Sequence, residues 1–404
     1  MCIRDRFKRL GPGLLFAGAA IGVSHLVYST RAGADYGWGL LWAFLIINIF
    51  KYPFFEFGPR YAVATGETLL DGYKKIGKNY LWFYAVLNTA NMFTIQAAVT
   101  IVTAGLAAHF FGISANLSIW GSIIIIICSL LLVIGKYSLL DKLMKFIIII
   151  LSFCTFLALI LAFYNSNEFP SSVQVIPEGS GLLFLIAFMG WMPAPMDISI
   201  WHSIWSVEKQ KEIKNTSLKE TLLDFNVGYV TTILLGLLFM GLGALVMFNT
   251  EVEFSNKGLV FSGQLIDLYT SNLGESFGGI ISLAAFTTMF STTITTLDAS
   301  PRAFSKAIQL IYKDDKDYYL FFLIILSVGT IGIFLFLQSE MGFLVQVATV
   351  LSFLTTPFFA WMNLKLVTSS FMPQKFQPKK VLVIFSWFGF VFLSAFTIGY
   401  LISI

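Results

Sequence analysis

The stretch that decides the fold is GLLFLIAFMGWMPAPMDISIWHSIWS, residues 181–206. It begins as an uninterrupted apolar run, meets Pro193 and Pro195, and regains an apolar pattern only after Asp197. Because proline removes a backbone donor and clashes with the preceding turn, the pattern predicts two half-helices with exposed backbone between them. In a membrane such backbone survives only where it lines a cavity or is buried by protein. The break is therefore either a binding site or a packing kink in which Asp197 has a structural partner.

Composition indicates an all-α integral membrane protein. The chain has 404 residues, of which 57% are hydrophobic and 12% charged, whereas soluble domains carry about 25% charged residues. Cys2, Cys128 and Cys154 are isolated from one another, which argues against a disulfide framework or a cysteine zinc site. The sequence contains no nucleophile motif, P-loop, CxxC or HExxH. We therefore expect no enzyme activity, no cofactor and no nucleic-acid partner, and lipid as the surrounding medium.

Eleven apolar runs have about the length needed to cross 30 Å of hydrocarbon. They lie at residues 13–30, 38–57, 80–111, 117–135, 143–164, 181–205, 222–248, 277–297, 318–338, 342–364 and 380–402. We number them as spans 1 to 11. The runs fill the chain from end to end, so we expect one transmembrane domain over residues 1–404 and neither a soluble domain nor a cleaved signal peptide.

The basic residues predict the orientation of the spans. With the N-terminus inside, almost every lysine and arginine falls in an inside loop, and the exceptions among the 26 are Arg31, Lys51 and Lys257. Positive charge marks the cytoplasmic side of membrane proteins. We therefore expect a multi-pass protein of the plasma (inner) membrane with a cytoplasmic N-terminus and an outside C-terminus.

Spans 1 and 6 share a glycine- or proline-rich break in mid-membrane. The break in span 1 is GAAIGVSH, residues 18–25, and that in span 6 is GWMPAPMD, residues 190–197. The two breaks take the same place in two sets of five spans, and an odd number of spans inverts the second set. The pattern predicts a LeuT-like fold with inverted repeats at about 10–164 and 181–372 and an extra helix at 380–402, with substrate bound between the broken helices.

Several short motifs lie in or beside spans 1, 2 and 6, namely Gly11-Pro12-Gly13, Ala32-Gly33-Ala34, Tyr36-Gly37, Arg60, Thr65-Gly66 and His202-Ser203. They resemble motifs of the Nramp divalent-metal transporter family, which also has eleven spans and a cytoplasmic N-terminus. The layout is similar over essentially the whole chain, whereas the sharp motifs are confined to spans 1, 2 and 6. The resemblance implies a secondary transporter whose substrate, rather than a cofactor, is a divalent metal.

The departures from the family pattern fall on its chemistry. The family binds metal through the Asp and Asn of a D-P-G-N motif, and those four positions here are Gly22, Val23, Ser24 and His25. The family's span 6 carries M-P-H, with Met as a ligand. Two registers place that motif either at Met192-Pro193 or at Pro195, Met196 and Asp197. Span 3 has Asn91, Gln96 and Val99 where the family uses acids for proton movement.

The residues at the breaks suit more than one substrate. We expect the binding residues to be Gly22, Val23, Ser24, His25, Met192, Pro195, Met196 and Asp197. Imidazole, carboxylate and thioether suit a transition metal, with His25 and Asp197 as its ligands, and one carboxylate with free carbonyls suits hydrated Mg²⁺. The metal interpretation requires that these two side chains face each other. The alternative is a LeuT-like carrier for a small polar organic solute such as an amino acid, attracted to the half-helix ends.

Other polar residues in the spans suggest proton movement or gating. His202 is a candidate proton relay, and an Asp–His pair can titrate near neutral pH as proton symport requires. Asp298 and Arg302 are spaced i,i+4 and are expected to form a gate or an interface ion pair. Glu56 of span 2 is expected to pair with either Lys51 or Arg60. If Asp197 of span 6 has a structural partner, we expect it to be either His25 or Lys51.

Overall fold

A computed structural model describes residues 11–112, 116–134, 137–165, 169–212, 216–248, 255, 258–274, 278–336 and 341–403. Within these ranges the regular elements are all helical. The α-helices are α1 Pro12–Ala20, α2 Thr30–Tyr36, α3 Leu41–Thr65, α4 Leu69–Ile76, α5 Lys78–Phe111, α6 Leu117–Ile134, α7 Tyr137–Asn165, α8 Ser180–Trp191, α9 Ile198–Glu212, α10 Leu218–Met247, α11 Gly258–Leu273, α12 Gly278–Tyr312, α13 Tyr319–Phe336, α14 Met341–Val367 and α15 Lys380–Ser403. A π-helix at Ser24–Ser29 joins α1 to α2, and a short 3₁₀ turn spans Gln374–Phe376.

Each of the eleven predicted spans coincides with a helix or a pair of helices. Among the described residues, seven helices are long and apolar enough to cross a membrane by themselves, namely α3, α5, α6, α10, α13, α14 and α15. Span 1 passes the same test as a bent pair, with 51° between its halves. Span 5 is α7, span 6 is α8 followed by α9, and span 8 is α12. The predicted all-α membrane architecture is confirmed.

Two helices lie between the predicted spans. The short helix α4 begins with a capping box, in which Thr68 and Asp71 satisfy each other's backbone N–H groups. It follows span 2 at the end of the bundle that carries the lysine-rich loops, which we call the basic end. The helix α11 lies between spans 7 and 8, at the opposite end, and buries Phe261, Leu265 and Leu268.

Span 1 packs backbone to backbone along the unbroken helix α10 of span 7. Glycines make this approach possible, because a Cβ on Gly33 would overlap the Met240 carbonyl and one on Gly243 would overlap the Thr30 carbonyl. At the basic end, the Asp224 carboxylate accepts hydrogen bonds from the N–H groups of Gly11, at 3.0 Å, and Gly13, at 2.8 Å. Span 7 therefore supports both halves of the broken span.

We expect Gly33→Ala to destabilise the protein by about 1–3 kcal/mol, as overpacking of a close contact does. The added methyl group meets the backbone of Met240, which cannot rotate away. The melting temperature, followed by tryptophan fluorescence in detergent, measures the effect. Gly399→Ala is the matched control, because its Cβ would meet nothing within 4 Å. Equal melting temperatures for the two variants would contradict the close packing.

Candidate functional site at two helix breaks

The break in span 1 is stabilised by span 8. The helix α1 ends at Ala20, the chain bends at Ile21 and Gly22, and the π-helix follows. The Thr292 hydroxyl lies 3.0 Å from the Ile21 carbonyl oxygen and 3.2 Å from that of Gly18. A side chain of α12 thus takes up carbonyls that the bend releases from the helix, as a broken membrane helix requires.

The break in span 6 is stabilised by Lys51 of span 2. The helix α8 ends at Trp191 and α9 begins at Ile198. The fully buried Lys51 ammonium donates to the carbonyl oxygens of Met189 at 3.0 Å, Gly190 at 2.6 Å and Ala194 at 3.4 Å. These oxygens lie at the C-terminal end of a half-helix, where the helix dipole is negative. The lysine therefore holds the geometry of the break.

The two breaks meet at one small cavity of about 20 Å³. Its lining comes from spans 1, 3, 6 and 8, and consists of Ala19, Ala20, Gly22, Val23, Ser24, Ile95, Val99, Trp191, Pro195, Ile198, Trp201, Thr292 and Thr296. This volume suffices for about one water molecule and is too small for a hydrated ion. The structure thus brings together Gly22, Val23, Ser24 and Pro195 of the predicted site, in a closed state.

Asp197 lies between Pro195 and Ile198, which line this cavity, but it is not itself part of the lining. The residue is 3% exposed, and the Lys51 ammonium is close enough to attract it electrostatically. Among the described residues its Oδ1 atom has no hydrogen-bond partner, and neither has the nearby Tyr84 hydroxyl of span 3. Of the two predicted partners of Asp197, Lys51 is near enough for electrostatic attraction, whereas both ring nitrogens of His25 are engaged elsewhere. A buried carboxylate with a free oxygen is a candidate ligand for a cation.

His25 is directed away from the break of span 6. Its Nε2 atom lies 2.9 Å from the Thr232 carbonyl oxygen of span 7, and its Nδ1 atom lies 2.7 Å from the Ser24 hydroxyl. Both ring nitrogens are thus engaged within the protein. The described residues contain no group of three His, Cys, Asp or Glu side chains that could hold a metal. His25 and Asp197 therefore do not pair, because the ring is held by Ser24 and by the Thr232 carbonyl.

The predicted methionine ligands are buried but do not line the cavity. Met192 is fully buried, and its sulfur lies 3.9 Å from the Ser29 hydroxyl of span 1. Met196 is 1% exposed. The thioether of Met192 therefore makes a contact between the two broken spans. Of the residues in the two possible registers of the motif, Pro195 lines the cavity.

His202 lies among aromatic rings near the basic end. It stacks on Phe16 of span 1 and contacts Phe225 of span 7, with both ring centroids 5.6 Å away. Among the described residues neither of its nitrogens has a hydrogen-bond partner. These contacts fix the ring between spans 1 and 7, and its role as a proton relay stays a prediction.

An ion pair at the basic end joins spans 8 and 9. Arg302 Nε lies 2.8 Å from both carboxylate oxygens of Asp298, as the i,i+4 spacing predicted. The Tyr319 hydroxyl donates to Asp298 at 2.7 Å, and the guanidinium lies 4.4 Å from the centre of the Tyr319 ring. In span 2, Glu56 pairs with Arg60, which selects one of its two predicted partners. The Tyr319 contacts thus link spans 8 and 9 at the basic end.

The opposite end has a vestibule of about 390 Å³, lined by α2, α8 and α14 among others. Tyr28 lines the vestibule and Trp191 lines the cavity at the breaks. Their rings meet edge to face at 6.4 Å, and the Tyr28 hydroxyl lies 3.2 Å from that of Thr349 in span 10. An aromatic partition therefore separates the vestibule from the cavity.

Sequence reasoning missed two features of the site. Ile95 of span 3 lines the cavity, yet an isoleucine inside an apolar span carries no functional signal. The contact of Lys51 with three carbonyls was also missed, since only the burial of a lysine inside a span could have indicated it. Thr292 and Thr296, which also line the cavity, belong to the hydroxyl-rich run TTMFSTTITTLD at residues 287–298 of span 8.

Comparison with known proteins places the chain in a family. Residues 13–403 match the natural resistance-associated macrophage protein-like (Nramp) family. An uncharacterised protein of Pasteurella multocida (strain Pm70) is 36% identical over 402 residues, which cover 98% of this chain and 92% of that protein.

Solved structures with the same fold are more distant in sequence. A mutant of the Eremococcus coleocola manganese transporter superposes with a TM-score of 0.74 at 15% identity, covering 96% of this chain and 84% of that one. A nucleobase-cation-symport-1 family transporter, closed around bromovinylhydantoin, gives 0.59 at 14% identity, covering 89% of this chain and 78% of that one. The LeuT-like fold predicted from the two breaks is confirmed, and the chain belongs to the Nramp family.

Proposed function

We propose that this protein is a secondary active transporter that moves a divalent metal cation, such as Mn²⁺, Fe²⁺ or Mg²⁺, by alternating access. The observation that carries the proposal is the meeting of the two helix breaks, where Gly22 to Ser24 and Pro195 line one closed cavity. Paired broken helices place the substrate between them in transporters of this architecture. Family membership and the fold shared with a manganese transporter support a metal as the substrate.

The donor atoms at the breaks favour a cation that keeps part of its water. In place of a cluster of acids, the break in span 6 offers the free Oδ1 of Asp197, and the backbone oxygens of Gly22, Val23, Ser24 and Pro195, which line the cavity, are the further candidate donors. Such hard oxygen donors suit Mg²⁺ or Mn²⁺ with retained waters. We assign substrate contact to Asp197 and to the backbone of Gly22, Val23, Ser24 and Pro195, with Met192 and Met196 beside them. His25 does not bind the ion in this proposal. Its contact with the Thr232 carbonyl of span 7 instead stabilises the break in span 1.

The transport step must enlarge the cavity at the two breaks. A hydrated ion needs more room than about 20 Å³, so we expect the contact between Tyr28 and Trp191 to open for entry from the vestibule. At the basic end, we expect the contacts of Tyr319 in span 9 with Asp298 and Arg302 in span 8 to separate for release.

Orientation, coupling and repeats complete the proposal. The distribution of basic residues supports insertion in the plasma (inner) membrane with the basic end and the N-terminus cytoplasmic and the C-terminus outside. Proton symport is the proposed coupling, with His202 as its candidate relay. Residues 10–164 and 181–372 form the proposed inverted repeats of a single domain, and residues 380–402 form the additional helix. A transporter of this kind carries out no covalent chemistry and needs no resident cofactor.

Uptake into proteoliposomes tests this function. The purified protein is reconstituted with a metal-sensitive dye inside, and Mn²⁺, Fe²⁺ and Mg²⁺ are added outside, with protein-free liposomes as the control. Saturable dye responses that require the protein are expected. If no divalent metal produces protein-dependent uptake while an amino acid or another small polar solute is accumulated, the metal proposal is wrong.

We expect Gly22→Ala to slow this uptake by about 2- to 10-fold. The new Cβ would lie 2.8 Å from Cγ2 of Thr292, so the threonine must leave its rotamer at a cost of about 0.5–1.5 kcal/mol. The initial rate of dye response measures the effect, with Gly399→Ala as the matched control. An unchanged rate for Gly22→Ala would show that the cavity at the breaks is not on the substrate path.

A further inference from the structure

Lys51 makes contacts that a bound cation would make. Its ammonium has three N–H donors, and the end of α8 and the following turn offer three carbonyl oxygens within 2.6–3.4 Å, those of Met189, Gly190 and Ala194. The side chain is fully buried, and the carboxylate of Asp197 attracts it. Each donor therefore has an acceptor, and the charge has a counter-charge.

The same oxygens would bind a free cation if the lysine were absent. Carbonyls at a helix C-terminus carry partial negative charge, and half-helix ends with unwound carbonyls coordinate cations in membrane transporters. A buried cation must be paired or coordinated, since an isolated charge in the membrane is costly. Lys51, Met189, Gly190 and Ala194 do not line the cavity between the breaks. The three carbonyls therefore form a second cation position that is separate from this cavity.

We propose that the carbonyls of Met189, Gly190 and Ala194 form a monovalent-cation site that Lys51 fills as a tethered cation, with the Asp197 carboxylate as a nearby counter-charge. The ammonium replaces an alkali metal ion of similar size at the end of half-helix α8. The wild-type protein therefore needs no Na⁺ or K⁺ at this position. Lys51 also sets specificity, because its positive charge balances Asp197 and excludes a second free ion from the break. This inference does not depend on which substrate the cavity accepts.

Removing the ammonium tests the site. Lys51→Met keeps an unbranched side chain of similar length and leaves the carbonyls and Asp197 without their cation. The melting temperature of the purified protein is measured in NaCl, KCl, LiCl and N-methylglucamine chloride at equal ionic strength. We expect a saturable rise of several degrees with Na⁺ or K⁺ that N-methylglucamine does not give, as ligand binding to the folded state produces. Lys78→Met, at the exposed start of span 3, is the matched control.

Two further variants separate binding from general destabilisation. Lys51→Met/Asp197→Asn removes both charges, so we expect it to fold and to lose most of the alkali response. Lys51→Gln can still donate to two of the carbonyls, and is expected to fold with a smaller response than Lys51→Met. An alkali-independent melting temperature for both single variants would overturn the proposal.

The same melting experiment on the wild-type protein tests the proposal without any Lys51 variant. The melting temperature should be equal in Na⁺, K⁺ and N-methylglucamine, because Lys51 already occupies the carbonyls. A saturable and specific rise with Na⁺ or K⁺ that Asp197→Asn abolishes would place a free ion at the break of the unmodified chain. That result would overturn the proposal even if no Lys51 variant folds.

Discussion

Asp197→Asn is expected to reduce divalent-metal uptake by at least about tenfold, which corresponds to about 1.4 kcal/mol of lost cation stabilisation. The substitution keeps the size and shape of the side chain and removes its charge. Asp197 is 3% exposed and has a free Oδ1, and its neighbours Pro195 and Ile198 line the cavity, so an amide there weakens the attraction for an entering cation. The initial rate of Mn²⁺ uptake into proteoliposomes measures the loss.

The control for this variant is Asp267→Asn. It makes the same chemical change at an exposed carboxylate of α11, and we expect no more than a small change in uptake. The melting temperature of Asp197→Asn must be recorded too, because the variant leaves Lys51 without its counter-charge. Uptake at the wild-type rate by a well-folded Asp197→Asn would remove the carboxylate from the proposed substrate site.

Arg302→Gln is expected to loosen the basic end of the bundle by about 1.5–3 kcal/mol, the range for hydrogen bonds to charged groups. The variant leaves the Asp298 carboxylate, whose side chain is 2% exposed, without its guanidinium partner. Hydrogen–deuterium exchange should rise in peptides that cover residues 313–323, because loosening of the contact between spans 8 and 9 exposes the backbone there.

Arg31→Gln is the matched control for this second prediction. Arg31 also pairs with an aspartate at i,i+4 spacing, Asp35, but both side chains are about one-third exposed. Exposed pairs contribute about 0–1 kcal/mol, so exchange should remain near the wild-type level at both ends of the bundle. Equal exchange of Arg302→Gln and wild type would show that the ion pair does not hold the basic end closed.

The fold follows from features that single-sequence reasoning captures well. Hydrophobic length located the spans because a membrane helix needs about 20 apolar residues, and the prolines at 193 and 195 located the break that α8 and α9 confirm. The helix α11 was missed because its partly buried, mixed sequence has no membrane-length apolar run. The capping box of Thr68 and Asp71 indicates the start of α4 in the sequence, but a search for apolar runs of membrane length does not detect it.

The site was only partly predictable because a helix break conceals the direction of side chains. Gly22, Val23, Ser24 and Pro195 line the cavity at the breaks, and their contact with substrate stays a prediction. His25 does not line this cavity, because its ring is turned to the Thr232 carbonyl of span 7, a direction that the sequence does not reveal. From the sequence, the metal interpretation required contact between His25 and Asp197, and this contact is absent. The metal proposal therefore rests on family membership, on Asp197 and on backbone oxygens.

The most direct test of the account is isothermal titration calorimetry of Mn²⁺ into the purified protein. The central claim is that one divalent cation binds at the meeting point of the two breaks and uses the Asp197 carboxylate. The account predicts saturable binding of one ion per chain to the wild type, and its loss in Asp197→Ala. Binding of equal strength in both proteins, or no binding of Mn²⁺, Mg²⁺ or Zn²⁺ to the wild type, would contradict the claim.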